Sequence, residues 1–307
     1  MLNKKSIVTV IGGSGFVGIY VVRKLAGLGV RIQVISRNAQ LKAGQLRTID
    51  KVGQIALINC DVNDLAKLET HISKSDYVVN LVGIKASSGK LQSFESLHQS
   101  FPLKLASLCT KHKIKKLIHI SALGVGDATD SEYAQTKLAG EQALLNHFDN
   151  TVILRPSVIF GPEDKFINMF NFISKIFLVI PCVAPAATIF QPIYVDDVAQ
   201  AVAAMLMADA DTNASKVIEI AGPKKYNFKQ IIEAMLAASG RKRFLITMPN
   251  TIMNVIALFA SMLPNPLVTP DQLRLLKHNN FIIGINGLDA MGIKATAMED
   301  ILPSYID

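Results

Sequence analysis

Val8-Thr9-Val10-Ile11-Gly12-Gly13-Ser14-Gly15-Phe16-Val17-Gly18 carries a short β-branched run into four glycines and then into a helix pattern. The run from Ser6 to Ile11 suits a strand buried on both faces. Gly13-x-Gly15-x-x-Gly18 lets the backbone turn sharply, approach a pyrophosphate and pack the next helix against a sheet. Phe16, Val17, Tyr20, Val21, Lys24, Leu25 and Leu28 continue at helical spacing, so the strand and helix that give such glycines meaning are both present. Gly12, Gly13, Ser14, Gly15, Phe16, Val17 and Gly18 are therefore candidate contacts for a dinucleotide phosphate.

Working outward, strand-like runs recur at Arg31-Ile35, Ile55-Ile58, Tyr77-Leu81, Lys116-Ser121 and Thr151-Leu154, with helical patterns between them. The alternation predicts an α/β fold, a doubly wound parallel sheet of the Rossmann kind. Such sheets place ligands beyond the carboxyl ends of their strands, which points to Gly12, Ser36, Asp61, Val82, Ser121 and Arg155. After about residue 155 proline and phenylalanine become frequent; Pro192-Ile193-Tyr194 then reads as a strand, Val195-Met207 and Asn227-Ala238 as helices, with Gly240 as a stop. The expected organisation is a nucleotide-binding domain over residues 1–155 and a smaller substrate-side region over 156–307, interwoven with it.

The 307 residues suffice for a full core, and 50% hydrophobic against 18% charged residues argues against disorder. A net charge of +8 favours anionic partners such as phosphorylated cofactors, but no basic stripe with interleaved aromatics is present, which argues against nucleic acid. Cys60, Cys109 and Cys182 stand apart without a CxxC pair, as core thiols in a reducing compartment would. The six histidines have no metal-ligand spacing, so no metal is expected. Met1 to Lys5 lead straight into the first strand, and the apolar stretches Ile173-Phe190 and Ile252-Leu263 are respectively interrupted by Lys175, Pro181 and Pro185 and too short to span a bilayer. The expected location is cytoplasmic, with at most peripheral attachment to the inner face of a bacterial inner membrane, or the matrix side in an organelle after processing.

A site preferring NAD presents a carboxylate about 20 residues beyond the glycines for the ribose hydroxyls. This chain has Val34-Ile35-Ser36-Arg37-Asn38 there. A hydroxyl and a guanidinium fork suit a 2′-phosphate, so NADP(H) is favoured over NAD(H), with Ser36, Arg37 and Asn38 as contacts; a solvated loop Arg37 is the plain alternative. Asp61 can accept from an adenine amino group while Val62 covers the ring, or else Asp61 or Asn63 caps the helix that starts near Asn63. Leu81, Val82 and Gly83 end the fourth strand, where Gly83 either admits the cofactor to the backbone or simply turns the chain.

Ser121 ends the fifth strand, and Tyr133 and Lys137 follow four residues apart, on one face of a predicted helix. A phenol exchanges protons usefully only if its pKa falls from ~10 to ~7, roughly 4 kcal/mol of selective phenolate stabilisation, which a lysine cation and an oxidised nicotinamide can supply. Ser121 would hold the substrate oxygen while hydride passes to or from the nicotinamide. Tyr20 and Lys24 share the same offset inside the first helix, so position at the ligand end of the sheet, not spacing, distinguishes Tyr133. An ordinary half-exposed helix face is the alternative.

The glycines, Ser121, Tyr133-Ala134-Gln135-Thr136-Lys137 and Leu154-Arg155-Pro156-Ser157-Val158-Ile159-Phe160-Gly161-Pro162 together resemble the extended and atypical short-chain dehydrogenase/reductases, the NAD-dependent epimerase/dehydratase kind, over most of the chain. The resemblance implies that Pro156 and Val158 lie near the nicotinamide and that Gln191-Pro192-Ile193-Tyr194-Val195-Asp196-Asp197-Val198-Ala199 returns from the substrate region, its carboxylates capping the next helix. Ile159 to Asn168 and Gln191 to Val195 are similar to the nucleotide-binding accessory subunits of respiratory complex I and their bacterial relatives. That branch implies bound NADPH in a structural role and complex I subunits as partners. A free NAD(P)-dependent oxidoreductase or sugar-nucleotide epimerase, acting on a small carbonyl or sugar-nucleotide substrate through Ser121, Tyr133 and Lys137, is the competing expectation; a redox-sensing regulator is the third.

Two basic runs remain. Lys111-His112-Lys113-Ile114-Lys115-Lys116 is expected to lie solvated at a helix C-terminus. Arg241-Lys242-Arg243 either acts similarly before a buried tail helix over Ile252-Leu263 or joins that segment as a surface for anionic lipid.

Overall fold

The computed structural model describes residues 2–42, 44, 46, 53–183, 188–208, 217–248 and 269–307. The chain divides into two compact units: residues 1–121, 136–155 and 198–218 form the first, and 122–135, 156–197 and 219–307 the second.

The first half of the chain alternates strand and helix as β1 (Ile7–Ile11), α1 (Phe16–Gly27), β2 (Arg31–Ser36), β3 (Ile55–Asn59), α2 (Leu65–Ile72), β4 (Tyr77–Asn80), α3 (Phe101–Lys111), β5 (Lys116–Ile120), α4 (Glu132–His147) and β6 (Thr151–Pro156). The second half adds β7 (Ile159–Phe160), α5 (Phe166–Ile176), β8 (Val179–Val183), β9 (Ile189–Phe190), β10 (Ile193–Tyr194), α6 (Val195–Met207), β11 (Val217–Ile220), β12 (Tyr226–Asn227), α7 (Phe228–Ala238), β13 (Phe244–Met248) and α8 (Pro270–Leu275).

One seven-stranded sheet runs in the order β11-β6-β5-β4-β1-β2-β3, with β3 to β6 paired in parallel. The chain leaves β1 toward β2 on one side and reaches β4 on the other, so the glycines after β1 sit at the point where strand order reverses, the usual ligand crevice of such sheets. β4 and β5 are buried along their whole length, as strands covered on both faces must be. Ile11, Ile35, Val78 and Leu117 of the sheet pack with Phe101, Leu105 and Cys109 of α3 and Leu144 of α4. Each such Leu or Ile contributes about 1.5–3 kcal/mol relative to exposure. The three cysteines are free and buried, and burial pushes the Cys109 thiol up to about 12.

Two expectations about polar residues change in this unit. The cap of α2 is Asp64, whose carboxylate accepts from Lys67 N, not Asp61 or Asn63. The basic run after α3 is not simply solvated: Lys111 and His112 meet Glu69 at 2.7 and 2.8 Å, and Lys115 meets Asp76 at 2.7 Å. Lys116 is buried and donates to the carbonyls of Met205 and Ala208 at 2.8 and 2.6 Å, closing the C-terminus of α6 with a cation.

The second unit is built on α5, α7 and three small strand pairs, β10 with β7, β12 with β9 and β13 with β8. Phe166, Phe170 and Phe228 stack edge to face, with ring centres 5.4–5.7 Å apart. Asn227 and Gln230 form a reciprocal cap on α7. Asp196 and Asp197 stand inside the first turn of α6, not before it, and Asp197 accepts from Thr296 N and Oγ1 at 2.7 and 3.0 Å. Arg241 donates to Asn171 Oδ1 and Asp307 O, while Arg243 donates to Ser174 O in the last turn of α5. Ile252-Leu263 lies outside the described residues. Among the described residues no helix is long and apolar enough to cross a membrane.

Candidate functional site

The glycine loop has the geometry its sequence requires. Gly12 takes φ +83°, which an L side chain rarely adopts, while its N–H donates to Ile35 O and its carbonyl accepts from Gly15 N. A Cβ on Gly18 would lie 2.4 Å from Gly12 O and 2.6 Å from Gly13 Cα. A side chain there would drive α1 away from the loop. Gly15 stands at the N-cap of α1 with no side-chain cap, and no acidic residue occupies the first turn, so the first amide groups and the positive end of the helix remain suited to an anion. Phe16 and Val17 form that turn, and Ser14 Oγ lies 2.7 Å from Ser36 Oγ, tying the loop to the end of β2.

Arg37, Asn59, Cys60, Asp61, Asp64 and Lys67 line a pocket of about 310 Å³ at the ends of β2 and β3. Arg37 and Asn38 are exposed, and Arg37 Nη1 donates to Gln92 Oε1 at 2.8 Å, so Arg37 is neither buried nor an undirected surface charge. Asp61 Oδ1 accepts both the backbone and the side-chain N–H of Asn63 at 2.9 Å. Val62 packs half-buried against the core beneath, as does Val82 just beyond β4, and Leu81, between β4 and Val82, is half-buried. Gly83 leaves room beside the Lys137 amine, which a Cβ would meet at 3.5 Å.

Lys137 is buried and donates to Ile120 O at 3.0 Å, which fixes α4 to the end of β5. Burial pushes its ammonium down to about 8, opposed by the Glu141 carboxylate. The next residue of the strand exit, Ser121, is also buried, and among the described residues its hydroxyl has no hydrogen-bond partner. A buried hydroxyl so placed is what a site completed by a ligand oxygen would show. Tyr133, one turn before Lys137 on α4, is half-buried; burial and the Asp271 carboxylate push its phenol up to about 12, the opposite of the lowering that proton transfer requires.

Around Lys137 lies a set of neutral polar groups. His98 accepts from Ile84 N through Nε2 at 3.1 Å, stacks on Phe94 and is pushed down to about 3 by burial and then by Lys137. Asn80 accepts from Val82 N and contacts His119 Nδ1 at 3.0 Å. Arg155, expected to line the crevice, instead forms a forked ion pair with buried Glu141 at 2.5–3.2 Å.

In the second unit, Asp271 takes Ser131 Oγ, Glu132 N and Tyr133 N at 2.9, 2.9 and 3.2 Å, so a residue of α8 caps the helix that bears Tyr133. Pro156 is buried and its carbonyl accepts from Leu123 N. Val158 N donates to Asn280 Oδ1 at 3.1 Å, and Asn280 also binds Ser157 Oγ and Leu123 O at 2.6 and 2.8 Å. Sequence reasoning missed Gln92, Asp271 and Asn280. Each acts over a long separation with no local pattern; only Asn80, at a strand exit, carried a positional signal.

Residues 8–221 match the NAD dependent epimerase/dehydratase family. The chain is 30% identical over 230 residues to the mitochondrial NADH dehydrogenase (ubiquinone) 1 alpha subcomplex subunit 9 of Arabidopsis thaliana, covering 75% of this chain and 57% of that protein's length. It is 26% identical to the subunit of the same name in Mus musculus, over 95% of this chain and 78% of that protein. Among solved structures it superposes with TM-score 0.72 on the UDP-N-acetylglucosamine 4-epimerase of Methanobrevibacter ruminantium M1, at 21% identity over 99% of this chain and 98% of that one. It superposes with TM-score 0.65 on the UDP-glucuronic acid 4-epimerase of Bacillus cereus in complex with NAD, at 22% identity over 79% and 86%. These structures share the fold alone, whereas the sequence match spans the sheet and its glycine loop. The chain belongs to the NAD dependent epimerase/dehydratase family.

Proposed function

We propose that this protein binds NADP(H) in its first unit and serves as an accessory or assembly-type component of a respiratory NADH:quinone oxidoreductase, with the nucleotide as a structural element. The glycine cradle fits a dinucleotide, since backbone would occupy the same space as any side chain at Gly18. Gly12, Gly13, Ser14, Gly15, Phe16, Val17 and Gly18 would hold the pyrophosphate, Ser36, Arg37 and Asn38 the 2′-phosphate, and Asp61 and Val62 the adenine. Leu81, Val82 and Gly83 would border the cofactor beyond β4, with Lys137 on the nicotinamide ribose. Tyr133, Pro156 and Val158 are the further candidates that the family resemblance points to. When bound, a nicotinamide supplies hydride transfer.

The observation that carries the structural role is on α4: burial and the Asp271 carboxylate raise the Tyr133 phenol instead of lowering it, and the Lys137 amine donates to Ile120 O. The relatives named as NADH dehydrogenase subunits support the assignment of the partner. A second reading, a free oxidoreductase or epimerase, draws on the unpartnered Ser121 hydroxyl. The deciding experiment isolates the native protein from its host membranes and analyses the nucleotide it retains. NADPH, together with respiratory-complex subunits and no hydride exchange on a carbonyl and sugar-nucleotide panel, is the expected result. Turnover by the isolated chain that disappears in Tyr133→Phe would establish the second reading instead.

A further inference from the structure

The exits of β2 and β3 line the pocket that Arg37 and Asp61 share, and a short turn after β4 joins them through Gln92 and Leu91. Ser88 N donates to Gln92 O and Gln92 N to Gly89 O, so residues 88–92 close on themselves, with Gly89 at φ +76°. Asn63 holds this turn from below, donating to Leu91 O at 3.3 Å and accepting from Ser96 Oγ at 3.4 Å. Half-buried Gln92 presents its Oε1 to Arg37 Nη1 at 2.8 Å. A guanidinium only donates, so this contact fixes which end of the amide faces Arg37 and leaves the Gln92 NH2 pointing elsewhere. Among the described residues that NH2 has no hydrogen-bond partner, and Gln92 Oε1 is the one partner of Arg37.

We propose that Gln92 is a specificity-determining residue: it orients Arg37 and, through its amide NH2, donates alongside it to a phosphomonoester on the adenosine 2′ position. The assignment rests on the NADP(H) reading above and adds to it a residue on a different strand exit. The guanidinium alone is a mobile surface cation; braced by an acceptor that is itself held by the 88–92 turn, it loses less freedom when a phosphate binds. The two side chains then offer the phosphate a planar charged fork and a neutral donor, a pairing with no use for a ribose hydroxyl that lacks the phosphate.

The test measures binding of 2′,5′-ADP and 5′-AMP, and of NADPH and NADH, to the full chain at low salt. The parent should prefer the 2′-phosphorylated member of each pair, and Arg37→Ala should remove that preference. Gln92→Ala should cut it about tenfold while leaving 5′-AMP binding unchanged. Gln92→Glu keeps an acceptor for Arg37 but sets a carboxylate against the phosphate, and should reverse the preference. If the parent shows no preference, or Arg37→Ala leaves it intact, the NADP(H) reading fails. If Arg37→Ala abolishes it but both Gln92 variants keep the parent ratio, the role of Gln92 is overturned and the cofactor reading stands.

Discussion

Replacing Asp271 with alanine removes one carboxylate that serves the first turn of a helix 138–140 residues away in sequence. Both oxygens are in use, Oδ1 by Glu132 N and Oδ2 by Ser131 Oγ and Tyr133 N. Glu132 is exposed, so water can replace its lost acceptor, whereas half-buried Tyr133 keeps an N–H with reduced access to solvent. Loss of a cap carboxylate costs about 0.5–2 kcal/mol, and an orphaned, partly buried donor about 1–3 kcal/mol. A local destabilisation of roughly 2 kcal/mol follows, or about a 30-fold loss of protection for amides in that turn. A chain of two units need not unfold in one step, so the assay is hydrogen exchange read by mass spectrometry on peptides covering residues 131–137. Arg274→Ala is the control: its 3.6 Å pair with Asp271 is half-exposed and should change protection by less than about threefold. Equal protection in parent and Asp271→Ala, or an equal effect of Arg274→Ala, would refute the capping role.

Gly18→Ala should abolish nucleotide retention and lower Tm, whereas Gly27→Ala, where a Cβ meets nothing within 4 Å, should be neutral or stabilising by up to about 1 kcal/mol; similar Tm values for the two would contradict the cradle geometry. Lys116→Met leaves the Met205 and Ala208 carbonyls without their cation and should cost about 2–4 kcal/mol in denaturant titration, with a loss under about 1 kcal/mol counting against the cap. His98 stays neutral in the fold down to about 3, while the unfolded ring takes a proton near 6.5. Stability is therefore lost as pH falls from about 6.5 toward 3, by roughly 2 kcal/mol at pH 5, and His98→Gln should flatten that slope in denaturation curves taken across the range.

The sheet was legible because its first six strands are short apolar runs rich in Ile and Val, and where both faces are covered, as in β4 and β5, burial leaves that composition little freedom. β11, which pairs with β6 at the sheet edge, was not, since Val217 to Ile220 includes Glu219 and is only partly buried. At the site, glycines and strand exits announce themselves because backbone sterics restrict which residues can stand there. Capping at α2 misled because Asp61, Asn63 and Asp64 are all competent acceptors, and only the chain path selects Asp64. Arg155 misled for a related reason: a cation at a strand exit suits a ligand, yet Glu141 on α4 had already claimed it. Asp271 and Asn280 act through distant backbone atoms, which leaves no periodicity to find.

The contact between Asn80 and His119 decides something that X–H positions usually leave open. The oxygen end of the amide must face Val82 N, because only oxygen can accept that proton; the nitrogen end then meets His119 Nδ1 as a donor. Nδ1 is thereby bare and the ring proton sits on Nε2, a single tautomer dictated by one backbone N–H. Burial and the neighbouring Lys137 keep the ring uncharged. His119 is thus a permanently oriented dipole set into the strand that leads to Ser121, and what it contributes to that neighbourhood is a fixed field that solution pH in the neutral range does not alter.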